Sequence, residues 1–431
     1  MRITIHRGTK EIGGSCVEIA TTSTRIVLDL GLPIVDANRE PFDSRLALTK
    51  SNEELRDEKV IPAIAGLFDE SHAPPDAILL SHAHLDHAGL LHRSRTEVPI
   101  YTTAGTSKMM LAAGVFAGQK SLDRNRFRPV TSQQTYRIGD FSITPLSVDH
   151  SIFGSVAYLI EGDGKAILYT GDFRNHGRKP GMMRDLLAFV RGKSIDVLIV
   201  EGTHFGGERE QGRSEFELEV EIRSLIESAP ALVLACFSAL DIDRLVTIYK
   251  ASQAAGRTLV IDAYAAFVLH LLGSSVSTPK PTKEYGIRVF FNAHFEKRNL
   301  VEIRKRFEEV QIELSEVLRD ENRYVMMFRP SMLASDFGGS LPKPCRCLYG
   351  YWKGYLAKPD WQELQNVIEG AHGDFIPAHV SGHAYIRDII ALVAAIQPRH
   401  ILPIHTFSPE SFNEHFANVV AIEDGLPYQV N

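Results

Sequence analysis

Four metal-ligand side chains directly follow an apolar strand segment, and this feature constrains the fold most. Asp76–Leu80 (DAILL) is predicted to be a buried strand, and His82, His84, Asp86 and His87 come immediately after it. Imidazole nitrogen and carboxylate oxygen suit divalent metals such as Zn²⁺ or Mn²⁺. The turn can direct the first two side chains at one metal and the last two at a second. The alternative is a polar surface turn, which this density of ligand-type residues disfavours.

Two further ligand candidates also stand at strand ends. His150 lies in the segment VDHS, and Asp172 follows the apolar segment AILYT within TGDFR. An isolated histidine or aspartate is more often structural than a ligand. Here the order along the chain, with each residue at a strand end, favours both as ligands that complete the two coordination shells.

Length and composition bound the class of protein. The chain has 431 residues, too many for one simple core, so two domains are expected. The formal net charge of -6 implies no broad basic surface, so contact with a nucleic acid would need a local basic groove or bound cations. The 4 cysteines are scattered, which fits a reduced, cytoplasmic protein. No apolar stretch is long enough to span a bilayer, so no membrane partner is expected.

The pattern of predicted elements divides the chain. Short strands dominate the first part, among them Arg2–Arg7, Cys16–Ala20 and Arg25–Asp29. The polar, partly helical segment Ile34–Asp69 is predicted to elaborate the region between core strands. From a capping box at Ser214–Glu217 onward, strands alternate with helices, which predicts a parallel α/β unit.

The motifs HAHLDH, DHS and TGDFR together resemble those of the metallo-β-lactamase family. The resemblance implies an α/β fold, an αββα sandwich with metals at one edge. In that family the ligand that bridges the metals matches Asp172. Asp29, in IVLDLG, matches the aspartate that supports the metal ligands from behind.

Three motifs in the second half resemble the β-CASP nucleases of this family. VEGTH, HVSGH and PIH are similar to their motifs A, B and C, and the segment His150–Arg174 is similar to ribonuclease J. The resemblance implies a β-CASP α/β domain at residues 206–372, inserted between metallo-β-lactamase segments 1–205 and 373–431. The Gly/Ser-rich phosphate-binding segment expected near Tyr324–Gly339 is only weakly matched, so the polarity of an exonuclease stays open.

The resemblance also implies a role for each site residue. The residues expected to bind two divalent ions, Zn²⁺ or Mn²⁺, are His82, His84 and His150 for one metal, Asp86, His87 and His405 for the other, and Asp172 between them. The expected catalytic residues are Asp86, Glu201 and His383, the last two paired at the scissile phosphate. The expected phosphate or substrate contacts are His379, Ser381 and Ser331. A Glu–His pair can instead stabilise a core, and His405 can be a buried core histidine.

The function expected from these motifs is that of a metal-dependent ribonuclease. It would hydrolyse phosphodiester bonds of single-stranded RNA through a two-metal-activated hydroxide, as an exonuclease, an endonuclease or both. One alternative is a DNA nuclease, because no residue visibly reads the 2′-hydroxyl. Another is a small-molecule hydrolase of the lactonase or thioesterase type, which the β-CASP-like motifs disfavour. A non-enzymatic binding module is disfavoured because no expected ligand is missing. A homodimer is compatible with the resemblance.

Overall fold

The computed structural model describes residues 1–36, 40–207, 212–274 and 276–431, which fold as two compact units. The first unit comprises Met1–Gln211 and Gly382–Asn431, and the second comprises Gly212–Ser381. The strands of the described residues are β1 Arg2–Arg7, β2 Cys16–Ala20, β3 Arg25–Leu28, β4 Ala77–Leu79, β5 Ile100–Thr103, β6 Phe127–Val130, β7 Tyr136–Ile138, β8 Phe141–Ser147, β9 Val156–Gly162, β10 Lys165–Tyr169, β11 Val197–Glu201, β12 Val233–Cys236, β13 Thr258–Asp262, β14 Ile287–Phe290, β15 Tyr324–Met327, β16 Arg346–Tyr349, β17 Asp374–Pro377, β18 His400–Ile404 and β19 Pro427–Gln429.

Helices alternate with these strands along most of the chain. The α-helices of the described residues are α1 Leu46–Thr49, α2 Asn52–Asp57, α3 Leu85–Ala88, α4 Ala104–Phe116, α5 Gly181–Val190, α6 Glu215–Glu227, α7 Ile242–Ala254, α8 Ala263–Leu272, α9 Ala293–Glu296, α10 Val301–Phe307, α11 Leu314–Arg319, α12 Pro330–Ser335, α13 Pro359–Gly370 and α14 Ile386–Ile396. Short 3₁₀ helices are found at Leu91–Arg93, Arg124–Arg126, Glu308–Val310, Glu321–Arg323, Lys353–Ala357 and Pro409–Glu414. No helix of the described residues is long and apolar enough to cross a membrane.

The first unit is a sandwich of two sheets with helices on its outer faces. One sheet has the strand order β19-β1-β2-β3-β4-β5-β6, and the other has the order β18-β11-β10-β9-β8-β7. The central core lies between the sheets and contains residues such as Ile5, Leu79 and Ile167. A second core packs α5 and α14 on one sheet, and a third packs the Ile34–Asp69 region on the other. This is the αββα architecture that the sequence predicts.

Several strands run in the same direction, so their carboxyl ends lie at the same edge of their sheet. Strands β10, β11 and β18 are parallel neighbours, and β8 runs in the same direction because it and β10 both pair antiparallel with β9. Strands β3 and β4 of the other sheet are also parallel. Loops that leave the carboxyl ends of parallel strands can therefore present side chains to a common site.

The second unit is built on a parallel sheet with the order β14-β13-β15-β12-β16-β17. Its central strands are apolar and fully buried, as is usual for parallel sheets covered on both faces. The capping box predicted at the start of this unit is present: the Ser214 side chain accepts a hydrogen bond from the Glu217 amide, and the Glu217 side chain accepts one from the Ser214 amide.

The observed division differs from the expected one on the C-terminal side. We expected the inserted domain to end at His372, whereas the second unit continues to Ser381. The reason is that β17, at Asp374–Pro377, pairs with β16 and completes the sheet of the second unit. On the N-terminal side we expected the insert to begin at residue 206. Residues 208–211, next to that boundary, lie outside the described residues.

The segment Ile34–Asp69 lies between β3 and β4 and contains the helices α1 and α2. A capping box begins α2, with Ser51 as its first residue. Positions 37–39 of this predicted elaboration lie outside the described residues. The rest of the segment contributes apolar side chains such as Leu55 and Leu67 to the outer core of the first sheet.

Candidate metal centre

The segment after β4, a turn that runs into the short helix α3, carries four of the predicted ligands, His82, His84, Asp86 and His87. The loop that follows β3 fixes the position of this turn, because the amide of Leu30 donates a hydrogen bond to the carbonyl of His87 at 2.7 Å. Gly31 allows the two backbones to approach, since a Cβ atom at this position would lie 1.7 Å from the carbonyl oxygen of Asp86. Two backbone segments thus hold the ligand turn.

The other predicted ligands stand at the carboxyl ends of strands in the second sheet. Glu201 is the last residue of β11, while Asp172 and His405 follow β10 and β18, its parallel neighbours. His150 follows β8 at the same edge. The backbone of His405 adopts a left-handed conformation, with φ of 56°. Such conformations are uncommon for residues other than glycine and concentrate at functional sites.

Three histidines form the first group of ligand atoms. The ligand nitrogens of His82, His84 and His150 all lie within 4.8 Å of one another. Nδ1 of His150 lies 2.5 Å from the carbonyl oxygen of Gly382, to which it donates, so Nε2 faces the site. Burial holds the pKa values of His82 and His150 well below the usual range and lowers the pKa of His84 to about 4. Burial therefore favours the neutral imidazole, the form that binds a metal.

Two aspartates and two histidines form the second group. The ligand atoms of Asp86, His87, Asp172 and His405 also lie within 4.8 Å of one another. Oδ2 of Asp172 is 3.1 Å from Nε2 of His87 and 3.7 Å from Nε2 of His405. The same oxygen is 3.7 Å from Nε2 of His82, a member of the first group. Asp172, a member of the second group, thus also approaches the first group, and its role as a bridging ligand stays a prediction.

The polar atoms that converge on this site support metal binding. Nε2 of His82 and Oδ1 of Asp172 are buried, and no hydrogen bond from the described residues satisfies them. Nε2 of His87 and Oδ2 of Asp172, also buried, have only each other at 3.1 Å among those residues. A buried polar atom without a partner destabilises the fold by about 1–3 kcal/mol. Divalent cations would satisfy these atoms, and imidazole with carboxylate is a donor set that such cations accept.

The carboxylate of Asp29 orients the ligand turn from behind. It accepts hydrogen bonds from the amide of Ser81, the hydroxyl of Ser81, Nδ1 of His87 and the hydroxyl of Tyr169, each at 2.7 Å. Because Nδ1 of His87 donates its proton to Asp29, Nε2 is left to bind a metal. Asp29 is fully buried and has a left-handed backbone with φ of 58°.

A second hydrogen-bonded group adjoins the metal ligands. Glu201, His383 and His405 bring one ligand atom each within 4.8 Å of the others. The hydroxyl of Thr203 links them: it donates to Oε2 of Glu201 at 2.8 Å and lies 3.1 Å from Nδ1 of His383 and 3.0 Å from Nδ1 of His405. A hydroxyl that donates to the carboxylate can accept from both imidazoles. Thr203 can thus orient a metal ligand and the expected general acid together.

Charge in this group favours a protonated His383. Burial alone lowers the pKa of His383, but the carboxylates of Glu201 and Asp172 outweigh it and raise the pKa to about 9. Burial raises the pKa of Glu201, and the positive charge of His383 reverses that effect and lowers it. Nδ1 of His383 lies 3.3 Å from Oε2 of Glu201, and 22% of the His383 side chain is exposed. The catalytic role of this pair stays a prediction.

The three expected substrate contacts lie in the second unit. His379 is half-buried, with Nδ1 at 3.2 Å from the carbonyl of Gly350, and Ser381 is buried near the end of the unit. Ser331 is exposed in the first turn of α12. The ligands, Asp29, Glu201 and His383 come together in the first unit, and the role of the three residues in the second unit stays a prediction.

Sequence reasoning passed over several residues that shape the site. In the sequence, Thr203 only follows Glu201 within a motif, Tyr169 only precedes Asp172, and Ser81 only precedes His82. None of the three is predicted to be a site residue. Their hydroxyls contact side chains that come from distant parts of the chain. The available signal was the position of each hydroxyl residue within three positions of a predicted site residue.

Comparison with family models agrees with this geometry. Residues 62–248 match the beta-lactamase superfamily domain, and residues 377–415 match the Zn-dependent metallo-hydrolase RNA specificity domain. The two matched segments contain all seven predicted metal ligands. The fold and the matched domains define a metallo-hydrolase of the metallo-β-lactamase superfamily.

Curated relatives identify the branch. Ribonuclease J 2 of Streptococcus pyogenes is 24% identical over 92% of this chain and 68% of its own length. Ribonuclease J of Mycolicibacterium smegmatis is 22% identical over 94% of this chain and 68% of its own. Transcription termination factor FttA of Methanothermobacter thermautotrophicus is 24% identical over 68% of this chain. These relatives are β-CASP nucleases, the branch of the superfamily to which this chain is similar, and the chain spans 46% of the length of FttA.

A solved structure shares the fold across nearly the whole chain. The crystal structure of a protein of unknown function from Enterococcus faecalis superposes with a TM-score of 0.78 at 22% identity, and the match covers 99% of each chain. At this identity the match shows the fold alone, which both units therefore share with an experimentally determined protein.

Proposed function

We propose that this protein is a metal-dependent ribonuclease that hydrolyses phosphodiester bonds of single-stranded RNA. The observation that carries the proposal is the position of Asp172 between two groups of ligand atoms, with the Glu201–His383 pair beside them. Support for RNA as the substrate comes from the match of residues 377–415 to an RNA specificity domain and from relatives named ribonuclease J.

Two divalent cations are the proposed cofactors, held by the two ligand groups described above. Zn²⁺ and Mn²⁺ are the proposed identities because imidazole and carboxylate suit both. Bound there, such cations supply Lewis acidity, which lowers the pKa of a water molecule and stabilises negative charge on a phosphate. The chain contributes orientation: Asp29 fixes His87, Gly382 fixes His150, and Thr203 contacts His405.

His383 is the proposed general acid for the departing oxygen. Its Nδ1 faces Glu201 and Thr203, and we assign proton donation to Nε2, the other nitrogen of the ring. Glu201 is itself held by the amides of Phe173 and Ala384 at 3.3 and 3.1 Å, so its carboxylate is a fixed partner for the histidine. A positioned general acid contributes about 10²–10⁴ in rate.

Several finer features belong to the same proposal. His379, Ser381 and Ser331 are proposed contacts to phosphate or substrate, on the basis of the motif resemblance. A cytoplasmic location is proposed because all four cysteines are buried free thiols, as expected in a reducing compartment. A homodimer is the proposed assembly, and sedimentation at several protein concentrations tests it.

Cleavage of matched nucleic acids tests the proposal. RNA and DNA labelled at the 5′ or the 3′ end, single-stranded and duplex, are incubated in parallel with Mn²⁺ or Zn²⁺. We expect single-stranded RNA to be cleaved fastest, and the two labels report the polarity. Faster turnover of single-stranded DNA than of matched RNA would assign a DNA nuclease instead. Hydrolysis of lactones or thioesters without nucleic acid cleavage would assign a small-molecule hydrolase.

An Asp86→Ala variant separates catalysis by this site from a contaminating nuclease. Asp86 lies in the ligand turn, outside the apolar cores, so the fold should survive its replacement. We expect the variant to lose hydrolysis with an unchanged circular dichroism spectrum. Persistence of RNA cleavage in a folded Asp86→Ala protein would remove Asp86 from the metal centre.

A further inference from the structure

A cavity of about 280 Å³ in the first unit adjoins the metal ligand His150. Its walls come from the start of α4, from the segment that follows β6 and from the segment Ile152–Ser155, and they include Phe153 and Lys179. The residue types differ from those of the metal centre, because the lining combines an aromatic ring, a cation and several hydroxyls. These are the groups that contact single-stranded nucleic acids.

The aromatic side chain in this cavity has a defined place. Phe153 is half-buried, and its ring packs on the backbone of Gly105, where a Cβ atom would lie 2.7 Å from the ring carbon Cε1. Nζ of Lys179 lies 5.7 Å from the centroid of the same ring. Gly105 therefore admits the ring, and the ammonium of Lys179 lies over that ring, both residues lining the cavity.

A cation and a helix N-terminus accompany the ring. Besides Lys179, the first turn of α4, at Ala104 and Gly105, lines the cavity, and a helix N-terminus favours negative charge. Thr131 and Ser132, two residues with hydroxyl side chains, also line the cavity. A phosphate with its sugar and base would find a cation, hydroxyls and a stacking surface there.

A neighbouring cavity extends this surface away from the metal ligands. It has a volume of about 320 Å³ and shares Ser132, Ser147 and Met182 with the first cavity. Its wall includes Asp185, whose carboxylate disfavours a phosphate at that position. Of the two cavities, the one next to His150 is therefore the better place for an anion.

We infer that the cavity at Phe153 and Lys179 binds a nucleotide of single-stranded RNA adjacent to the cleaved phosphate, with the base on Phe153 and a phosphate at Lys179. The inference rests on the proposed ribonuclease function and adds a binding subsite on the first unit. Stacking on an aromatic side chain tolerates every base, so this subsite contributes affinity without sequence preference.

Binding and turnover of short RNA test the subsite. The variants are Phe153→Leu, which removes the ring, Phe153→Tyr, which keeps it, and Lys179→Gln. Fluorescence anisotropy with a labelled single-stranded oligoribonucleotide in EDTA measures affinity without metal-dependent cleavage. We expect Phe153→Leu to weaken binding by about tenfold, Phe153→Tyr to retain it and Lys179→Gln to reduce the salt dependence of binding. In Mn²⁺, Phe153→Leu should raise KM for RNA by a larger factor than KM for a nitrophenyl phosphodiester.

The first unit offers a matched control pair. Nζ of Lys193 lies 5.9 Å from the ring centroid of half-buried Phe189, outside both cavities. Phe189→Leu and Lys193→Gln should leave RNA affinity unchanged. Equal affinity of Phe153→Leu and the wild type, in a folded protein that cleaves RNA, overturns the subsite while the proposed function stands. A wild type that neither binds nor cleaves RNA overturns both, so the two failures are distinguishable.

Discussion

Nδ1 of His87 lies 2.7 Å from Oδ2 of Asp29, and this contact determines which nitrogen of His87 faces the metal centre. Asp29 is fully buried and belongs to the loop after β3, whereas His87 belongs to the turn after β4. The carboxylate therefore couples the tautomer of one ligand to the backbone of a neighbouring strand. Such supporting contacts commonly change metal affinity by 10–100-fold.

Asp29→Asn should lower metal affinity by about 10–100-fold while the fold is kept. Asparagine tolerates the left-handed backbone of this position, with φ of 58°. Its amide NH₂, turned toward His87, would require Nδ1 to accept and would move the proton to Nε2. Competition with a chromophoric chelator measures the affinity. Asp163→Asn is a matched control, because Asp163 is also left-handed, with φ of 50°, but exposed. Equal affinities of both variants would refute the orienting role.

Thr203→Val should lower kcat for RNA by about tenfold or more, whereas Thr203→Ser should stay within a few-fold of the wild type. Valine keeps the shape and removes the hydroxyl that contacts Glu201, His383 and His405. Serine restores that hydroxyl. Steady-state kinetics, with metal affinity measured in parallel, check this expectation. If serine fails to rescue the activity, the side chain acts through packing alone.

His383→Ala should lose about 10²–10⁴ in rate on an ordinary RNA linkage, because the departing alkoxide needs a proton. With a nitrophenyl phosphodiester the loss should be much smaller, since that leaving group needs no proton. The metal content of His383→Ala should equal that of the wild type. His400→Ala is the control, as His400 begins the strand that His405 follows and so lies at its opposite end. Equal losses on the two substrates would leave His383 as a phosphate-binding residue.

Glu18 should make the first unit sensitive to acid. Burial alone raises the pKa of Glu18, but hydrogen bonds from His6 and Arg25 lower it to about 2. The carboxylate of Glu18 binds a proton more tightly in the unfolded chain than in the folded protein. The stabilisation of the fold by ionised Glu18 is therefore present above about pH 4.5 and is lost as the pH falls toward 2. We expect Glu18→Gln to lower the free energy of unfolding at neutral pH by about 1–3 kcal/mol and to flatten its fall below pH 4.5.

Denaturant unfolding at several pH values measures the effect of Glu18. Glu70→Gln is the control, because Glu70 is exposed. A difference between wild type and Glu18→Gln that stays constant from neutral pH to pH 2 would contradict the pKa argument and point to packing.

The resemblance to the metallo-β-lactamase family implies the sandwich, and the strands that build it are predicted where their determinants are local. The strand segments Arg2–Arg7 and Cys16–Ala20 have the predicted bounds, since apolar alternation and the glycines between them specify a hairpin. The family motifs name the ligand set, and the structure brings it together at one edge. Thr203 and Tyr169 differ in this respect, because their roles depend on contacts between residues far apart in the chain, which no local pattern encodes. The extent of the second unit depended on the pairing of β17 with β16, also a nonlocal contact.

Metal stoichiometry tests the central claim most directly. The protein is stripped with a chelator, reconstituted with Mn²⁺ or Zn²⁺, freed of excess ion and analysed for elements, alongside Asp172→Ala. The geometry predicts two ions per chain for the wild type and fewer for Asp172→Ala, because Asp172 lies between both ligand groups. A saturating stoichiometry of zero in folded wild-type protein would contradict the metal centre and every step built on it.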